Sequence, residues 1–379
     1  MKKIKIFALI EGNIIKNLSN QPSGTYVRIY YTLKYIKDKA DISLIYIPYS
    51  YFCSKSYFAL QINRLTAFIA WILSFFIIIV KKPDYIYLPY PHSIVSNRLN
   101  YRIVNFFKKK GIKLIVDVHD WLDQSRAISE NKATIKPEIE SELVGNADIL
   151  FLGIENKYPK IKACIVPNGF DDKELKNIKY SIKKGRFNIG YVGAITKNRG
   201  IDILVDATSK IHQRYNFVKL FLYGEFGKID SKTKEKILKL EYICQRQVPR
   251  TKLRDYIANI DVFMLPYDPN VSYLNKVFPT KLFEYIGSEV PIICTKCQSI
   301  SKLLPKNSIL FVDYNVEDFC NKLEYLLNNP KEREEFSKNL RSIKARHTWK
   351  CRSEKMYKAI IKSYIRANLT TYTSIEGVS

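Results

Sequence analysis

The sequence predicts an α/β protein with two Rossmann-like domains that face a central cleft. A length of 379 residues corresponds to about two domains, and an apolar content of 46% is enough for two packed cores. Short apolar strands alternate with helical stretches in two successive runs. Each run opens with a strand and a glycine turn, at Gly24 and Gly193, which is typical of a Rossmann-like domain.

The first run supplies the domain predicted over residues 1–175. A helix after Gly24 carries Ile29, Leu33 and Ile36 as an apolar stripe at helical spacing. Apolar segments predict strands at residues 3–10, 41–49, 84–91, 113–121, 147–153 and 163–171. A Lys-rich stretch poor in apolar residues, about 172–186, is expected to link the domains.

The second run predicts a domain over residues 186–350. A final helix over residues 351–368 and a polar, disordered tail over 369–379 complete the chain. The apolar segments of this run predict strands at residues 187–193, 291–295 and 308–314. A further strand with its Gly-rich turn is predicted over 219–227, and a loop, a helix and a strand follow one another over 248–267.

The stretch FPTKLFEYIGSEVP, residues 278–291, is the most informative in the chain. Pro279 fits the first turn of a helix, where its missing N–H costs nothing. Glu284 is the one carboxylate among the apolar residues of this helix, and it can accept two hydrogen bonds from a vicinal diol such as a ribose. The alternative is a solvated Glu284 that pairs with Lys281.

This stretch resembles the nucleotide-sugar-binding signature P-x-K-x-x-E-Y-x-x-x-x-x-P of retaining glycosyltransferases of family 4, the glycosyl transferases group 1. The matching residues are Pro279, Lys281, Glu284, Tyr285 and Pro291. The resemblance implies the GT-B fold, with a C-terminal helix that crosses back to the first domain. It also implies that Glu284 holds the ribose of a sugar-nucleotide donor and that Lys281 belongs to the donor site.

Lys197 and Arg199 follow the strand that ends near Gly193 and precede a helix. Cationic side chains beside a helix N-terminus suit a diphosphate, and a solvated basic loop is the alternative. The segment resembles the family pattern G-R-L-x-x-x-K-G. Arg199 takes the position of the Lys, while Ala194 replaces the usual Arg and removes one phosphate contact.

The family often carries a second Glu eight positions before the first. Lys276 stands there in this chain, so the resemblance leaves the donor sugar open. The backbone N–H groups of Val277 and Phe278 are expected to meet the donor, and the base is expected beyond the glycine loop at Gly224.

His119 follows a predicted parallel strand, at the edge where open α/β sheets bind ligands. It could hydrogen-bond a sugar hydroxyl or an acceptor, and the alternative is a structural His paired with Asp117 or Asp120. Family members often show His-Asp here, so the resemblance implies an acceptor site near His119 and Gly24.

The formal net charge of +26 favours an anionic partner, such as nucleic acid, an anionic membrane or a phosphorylated substrate. A Lys- and Ile-rich composition of the kind that AT-biased genomes produce explains the charge equally well. Residues 65–80 are uncharged but too short to span a bilayer. They predict a helix packed on the sheet, with a membrane-dipping face as the second interpretation. The basic residues around this segment are Lys55, Arg64, Lys81, Lys82, Arg98 and Arg102.

Cysteine usage and the N-terminus predict a cytoplasmic protein, with a peripheral position on the membrane left open. Cys294 and Cys297 form a CxxC without a second pair, which favours reduced thiols over a zinc site. The N-terminal apolar run is short for a signal peptide and reads as the first strand. No Asp-x-Asp occurs, and we expect neither a metal nor a cofactor besides the sugar nucleotide.

These features predict a retaining, metal-independent glycosyltransferase. It would move a sugar from a nucleotide-diphosphate donor to a glycan or a lipid-linked glycan. Two alternatives stay open: a catalytically degenerate GT-B scaffold and a basic nucleic-acid-binding protein. The second lacks a recognisable binding module, and its basic residues are dispersed.

Overall fold

The computed structural model describes residues 3–11, 24–47, 69, 72–90, 98–121, 137–176, 178 and 180–376. They form two compact units: the described part of Met1–Pro167 with Arg352–Ser379, and Asn168–Cys351. Lys55, Arg64, residues 65–68, 70 and 71, and the side chain of Arg98 lie outside the described residues.

The first unit contains a six-stranded sheet in the order β2-β1-β3-β4-β5-β6, in which every pairing is parallel. Its central strands are buried on both faces, which explains why they read as continuous apolar runs. The strands are β1 Lys5–Glu11, β2 Asp41–Ile47, β3 Tyr85–Tyr90, β4 Lys113–Val118, β5 Ile149–Leu152 and β6 Cys164–Ile165.

Helices cover this sheet, and the C-terminal helix joins them. Met356 and Ile360 of that helix share one hydrophobic core with Ile29 and Leu33 of the first helix. The helices of this unit are α1 Gly24–Ile36, α2 residues 72–81, α3 Arg98–Lys109, α4 Pro137–Gly145 and, at the end of the chain, α13 Trp349–Glu376.

The second unit contains a parallel sheet in the order β12-β11-β10-β7-β8-β9. Numbered within the unit, this is the Rossmann order 3-2-1-4-5-6 read from the other edge, and its switch point lies between β7 and β10. The strands are β7 Phe187–Val192, β8 Val218–Tyr223, β9 Ile243–Arg246, β10 Val262–Leu265, β11 Ile292–Thr295 and β12 Leu310–Val312.

The helices of the second unit follow its strands, with two successive helices after β10 and after β12. They are α5 Ile201–Arg214, α6 Ser231–Lys239, α7 Leu253–Ile257, α8 Ser272–Lys276, α9 Thr280–Ser288, α10 Gln298–Leu303, α11 Val316–Asn328 and α12 Pro330–Lys344. Short 3₁₀ turns at Lys197–Arg199, Arg250–Lys252 and Ala345–His347 complete it.

The structure differs from the sequence-based expectations at three places. The edge strand β9 has a half-buried, polar sequence, ICQR, that gives no strand pattern. The second unit begins at Asn168, before the predicted linker, because Asn168 donates to the Phe278 carbonyl at 2.8 Å. The last helix continues past residue 368 to Glu376, since no Gly or Pro interrupts it before Gly377.

The apolar segment predicted as a helix is helical over residues 72–81. Within the part of the chain that the structure describes, no helix has the length and apolar content needed to cross a bilayer.

A buried ion pair fixes the centre of the first unit. Arg28 of α1 contacts Asp117 of β4 at 2.7 Å and donates to the Val166 carbonyl at 2.6 Å. Tyr87 donates to the same carboxylate at 2.6 Å. Burial alone raises the pKa of Asp117, but Arg28, His119 and the hydrogen bonds outweigh it and hold that pKa below its ordinary value.

We expect Arg28→Leu to lower the unfolding free energy of the first unit by about 3–5 kcal/mol, because it leaves the Asp117 carboxylate buried without its cation. The pair's contribution is fully present above the unfolded-state pKa of an Asp, about 3.9, and is lost as the pH falls through the lower folded-state pKa. Urea unfolding between pH 7 and pH 3 measures both effects.

The exposed pair Arg214–Glu324 is the control. Arg214→Leu should change the unfolding free energy by less than about 1 kcal/mol. Equal effects of the two substitutions would mean that Arg28 is not a structural cation.

Candidate functional site

Helix α9 is held against the sheet at the switch point by Tyr285. Its hydroxyl accepts a hydrogen bond, 2.9 Å long, from the backbone N–H of Val192, which is the last residue of β7. Its ring stacks on Phe263 of β10, with ring centroids 3.9 Å apart. Because Lys281 lies four residues before Tyr285, it shares that face of the helix and reaches the carboxyl end of β7.

Lys281 is a buried cation at the end of β7. Its Nζ donates to the Tyr191 hydroxyl at 2.7 Å and lies 4.3 Å from the centroid of that ring. Gly193 has φ +128°, and a Cβ on this residue would overlap the Lys281 ammonium. Gly193 is therefore required both for its backbone conformation and for the space that Lys281 fills.

Arg199 brings a second cation to the same place. Its guanidinium donates to the Tyr267 hydroxyl at 2.6 Å and stacks 5.4 Å from the centroid of that ring. The Lys281 Nζ lies 5.5 Å from the centroid of the same Tyr267 ring. We call Tyr191, Arg199, Tyr267 and Lys281 the cation–tyrosine cluster.

The pKa values in this cluster reflect two cations among neutral hydroxyls. Burial lowers the pKa of Lys281 well below its ordinary value, the Arg199 charge lowers it further, and Glu284 opposes both. Burial also raises the pKa of Tyr191, so this hydroxyl remains neutral. An anionic ligand would relieve the repulsion between Arg199 and Lys281, which makes the cluster a suitable place for a phosphate group.

Glu284 lies one helical turn from Lys281 but pairs with another residue. Arg250, in the turn after β9, contacts Glu284 Oε1 at 2.6 Å and Glu174 Oε2 at 3.1 Å. The hydrogen bonds observed are therefore Arg250 to Glu284 and Lys281 to Tyr191, and not the Glu284–Lys281 pair of the alternative interpretation. A cavity of about 280 Å³ opens beside Glu284 and Arg250; it is lined by Phe170, Asp171, Lys173, Glu174, Leu175, Arg250, Thr251, Leu253, Arg254, Asp255 and Glu284.

The other predicted donor residues differ in position. Gly224 follows β8 and lies so close to Gly193 that a Cβ would overlap the Gly193 carbonyl. Lys197 is exposed, and its backbone N–H donates to the Lys228 carbonyl at 2.9 Å. The Val277 N–H was predicted to meet the donor. In the structure it donates to the Tyr273 carbonyl at 3.0 Å, at the end of α8. The Phe278 carbonyl accepts from Asn168.

Two predicted residues belong to the first unit. Gly24 is exposed and is the first residue of α1. His119 follows β4 and is buried, with its Nε2 3.9 Å from Asp117 Oδ2. Asp117, which the sequence offered as a structural partner of His119, thus lies near it. The role of His119 towards the acceptor stays a prediction.

Sequence reasoning missed Tyr191, Tyr267 and Arg250. Tyr267 and Arg250 follow β10 and β9, at the sheet edge where parallel strands present their carboxyl ends. The same edge rule that selected His119 would have selected Tyr267. It could not have selected Arg250, because the sequence of β9 gives no strand pattern. Tyr191 lies inside β7 and reads as a core residue, so no sequence signal distinguishes it.

The CxxC thiols lie in the core. Burial raises the pKa of Cys294 well above its ordinary value and raises that of Cys297 to about 12, so both are neutral thiols at physiological pH. Within the described ranges, no three His, Cys, Asp or Glu side chains form a group suited to a metal ion.

The fold is that of the GT-B glycosyltransferases. Sucrose-phosphate synthase of Thermosynechococcus elongatus matches 96% of this chain and 100% of its own, with a TM-score of 0.68 at 13% identity. Anabaena Alr3699/HepE, solved in complex with UDP, matches 95% of this chain and 100% of its own, with a TM-score of 0.66 at 12% identity. A glycosyltransferase from Rickettsia africae matches 96% of this chain and 99% of its own, with a TM-score of 0.65 at 13% identity.

Residues 171–343, which lie within the second unit, match the family Glycosyl transferases group 1. The putative teichuronic acid biosynthesis glycosyltransferase TuaC of Bacillus subtilis is 30% identical over 122 residues. That match spans 32% of this chain and 28% of TuaC, so the chain aligns with less than a third of that relative.

We expect Lys281→Met to stabilise the unliganded protein by about 1–4 kcal/mol, because it removes a buried cation that faces Arg199. A Lys whose pKa is lowered on folding destabilises the fold fully below the folded pKa. The penalty shrinks as the pH rises towards the ordinary value of 10.5. The difference between variant and wild type should therefore fall between pH 6 and pH 10 in urea titrations.

The exposed Lys350, replaced in the same way, is the control and should give no pH-dependent difference. A Lys281→Met variant less stable than wild type at every pH would show that Lys281 serves packing.

Proposed function

We propose that this protein is a glycosyltransferase whose second unit binds a nucleotide-diphosphate sugar. The observation that carries the proposal is the position of Lys281 and Glu284 on one turn of α9. Lys281 is buried beside the half-buried Arg199 at the switch point of a Rossmann sheet, and the Glu284 carboxylate lies beside a cavity. The match of residues 171–343 to Glycosyl transferases group 1 supports it, as do the UDP and UDP-glucose complexes of Anabaena Alr3699/HepE.

In this proposal the nucleoside occupies the cavity beside Arg250, and its ribose diol donates to Glu284. The diphosphate then lies against Arg199 and Lys281, near the glycine turn at Gly193. As the sugar leaves, negative charge develops on the diphosphate, and the two cations stabilise it. Binding of the diphosphate also raises the Lys281 pKa towards its ordinary value, so the lysine becomes more fully protonated.

The first unit would bind the acceptor near Gly24 and His119. We propose a glycan or a lipid-linked glycan, in line with the role in teichuronic acid biosynthesis that the name of TuaC states. Retention of configuration, cationic rather than metal stabilisation of the leaving group and a cytoplasmic location are parts of the same proposal. The cation–tyrosine cluster supports the second of these, since it supplies two positive charges.

The second candidate is a GT-B protein that binds nucleotide without transferring sugar. Lys276 favours it, because it stands where the family often has the Glu near the donor sugar. Both candidates predict nucleotide binding, and they differ in whether the intact protein hydrolyses or transfers the donor sugar.

Glu284 can be tested with a ladder of nucleoside, nucleoside monophosphate and nucleoside diphosphate, in the base that a thermal-shift screen of UDP, GDP and ADP selects. Glu284→Ala should weaken all three at least tenfold and by the same factor, because a hydrogen bond to a charged group is worth about 1.5–3 kcal/mol. Isothermal titration calorimetry measures the dissociation constants.

Glu317→Ala on the exposed face of α11 is the matched control and should leave all three constants unchanged. A Glu284→Ala loss confined to the diphosphate would contradict a ribose contact.

Substitution of the two cations proposed to bind the diphosphate should affect only ligands that carry the diphosphate. We expect Arg199→Gln and Lys281→Met to weaken the diphosphate at least tenfold while changing nucleoside binding less than twofold, because only the diphosphate reaches these charges. Calorimetry in two buffers of different ionisation enthalpy should show proton uptake by the wild type and none by Lys281→Met. Equal weakening of nucleoside and diphosphate would place the diphosphate elsewhere.

A further inference from the structure

Helix α2 presents its apolar side to solvent. Ser74 and Ile78 point into the unit and are buried. The outward positions hold Leu73, Phe76 and Val80, which are 58%, 59% and 74% exposed. A surface helix ordinarily has the reverse arrangement, with polar residues outside.

Helix α3 extends this exposed surface. The Phe75 ring lies 5.3 Å from Phe106 and 5.2 Å from Phe107, so α2 and α3 pack through these rings. Phe107 is buried, whereas Phe106 remains 36% exposed. We call the exposed apolar residues of both helices the apolar face; they are Ile72, Leu73, Phe76, Ile77, Ile79, Val80 and Phe106.

Lysines border the apolar face. Exposed Lys81 ends α2. Exposed Lys82 follows it with φ +41°, which turns the chain away from the helix. Exposed Lys109 and Lys110 follow Phe106 on α3, with the Lys110 ammonium 5.6 Å from the Phe106 ring centroid. Neither residues 69–83 nor residues 98–116 contain an Asp or a Glu.

We propose that the apolar face and its lysines dock this protein on a membrane surface that contains anionic phospholipids. Exposed Leu, Phe, Ile and Val side chains enter the boundary between headgroups and acyl chains, while the lysines bind the headgroup phosphates. The described part of α2 spans residues 72–81, which at about 1.5 Å per residue is half the thickness of a hydrocarbon core of about 30 Å. The helix therefore lies in the surface.

Charge selects a lipid surface over a protein partner. The chain carries a net charge of +26, and the face has cations at its border and no carboxylate in its segments. Several exposed lysines around a continuous apolar surface match a dense array of phosphates better than the mixed polar rim of a protein interface. This docking does not depend on the proposed transfer reaction. Vesicle binding can therefore be tested even if the protein proves not to bind nucleotide.

Flotation of the full-length protein with vesicles tests the inference. Vesicles of phosphatidylcholine with about 30% phosphatidylglycerol should carry the protein, whereas pure phosphatidylcholine should carry at least fivefold less. Raising the salt from about 0.1 M to about 0.5 M should weaken binding severalfold. Leu73→Gln with Phe76→Gln should reduce binding about tenfold or more, since burial of each side chain is worth about 1.5–3 kcal/mol.

Phe217→Gln with Leu238→Gln is the apolar control, because both residues are exposed in the second unit. The pair Lys331→Gln and Lys350→Gln matches the net charge of Lys81→Gln with Lys82→Gln, and only the latter pair should lose vesicle binding. Thermal unfolding of each variant checks that the fold is kept.

Three results would overturn the proposal. The first is no flotation with anionic vesicles. The second is an equal loss of vesicle binding in the control pairs, which would indicate nonspecific electrostatic or hydrophobic adsorption. The third is a dimer in light scattering that Leu73→Gln with Phe76→Gln converts to a monomer while flotation is unchanged, because the face would then join two copies of this chain.

Discussion

The candidate site depends on how α9 is seated on its sheet. Tyr285 uses its hydroxyl to accept the last N–H of β7 and its ring to cover Phe263 of β10. These contacts bridge the two strands at the switch point and fix the register of the helix. Lys281 and Glu284 then reach different places, the first at Gly193 and the second at Arg250. A shift of one residue along α9 would rotate both side chains by about 100°, away from their partners.

The two units treat buried charge in opposite ways. In the first unit, Arg28 faces a carboxylate and a carbonyl, and the charges balance within the protein. In the second unit, Arg199 and Lys281 contact tyrosine hydroxyls, and Glu284 is engaged by Arg250. A balanced buried pair has a structural role, while two cations held near neutral partners retain attraction for an anion. This contrast separates Arg28, which is also a buried basic residue, from the residues of the candidate site.

The sequence was sufficient for the alternation of strands and helices and for the helix within residues 278–291, because these rest on local patterns. It also selected Lys281, Glu284 and Arg199 as candidate site residues, whose roles stay predictions. It was insufficient where partners come from distant strands. Arg250 lies 34 residues before Glu284 and Tyr191 lies 90 before Lys281, so no local pattern couples them. The strand β9 escaped prediction for a related reason: an edge strand is half-buried, and its ICQR sequence lacks the apolar run of the central strands.

His119 illustrates the remaining difficulty in the first unit. It follows β4 at a ligand-binding edge, yet it lies 3.9 Å from Asp117, whose carboxylate also holds Arg28 and Tyr87. A substitution that disturbs this pair changes the surroundings of His119, so a loss of activity there does not by itself identify a catalytic group. The stability of the Arg28 pair therefore has to be measured before a loss of activity at His119 is interpreted. A His119 variant that keeps full stability and nucleotide affinity but loses transfer would locate the acceptor chemistry in the first unit.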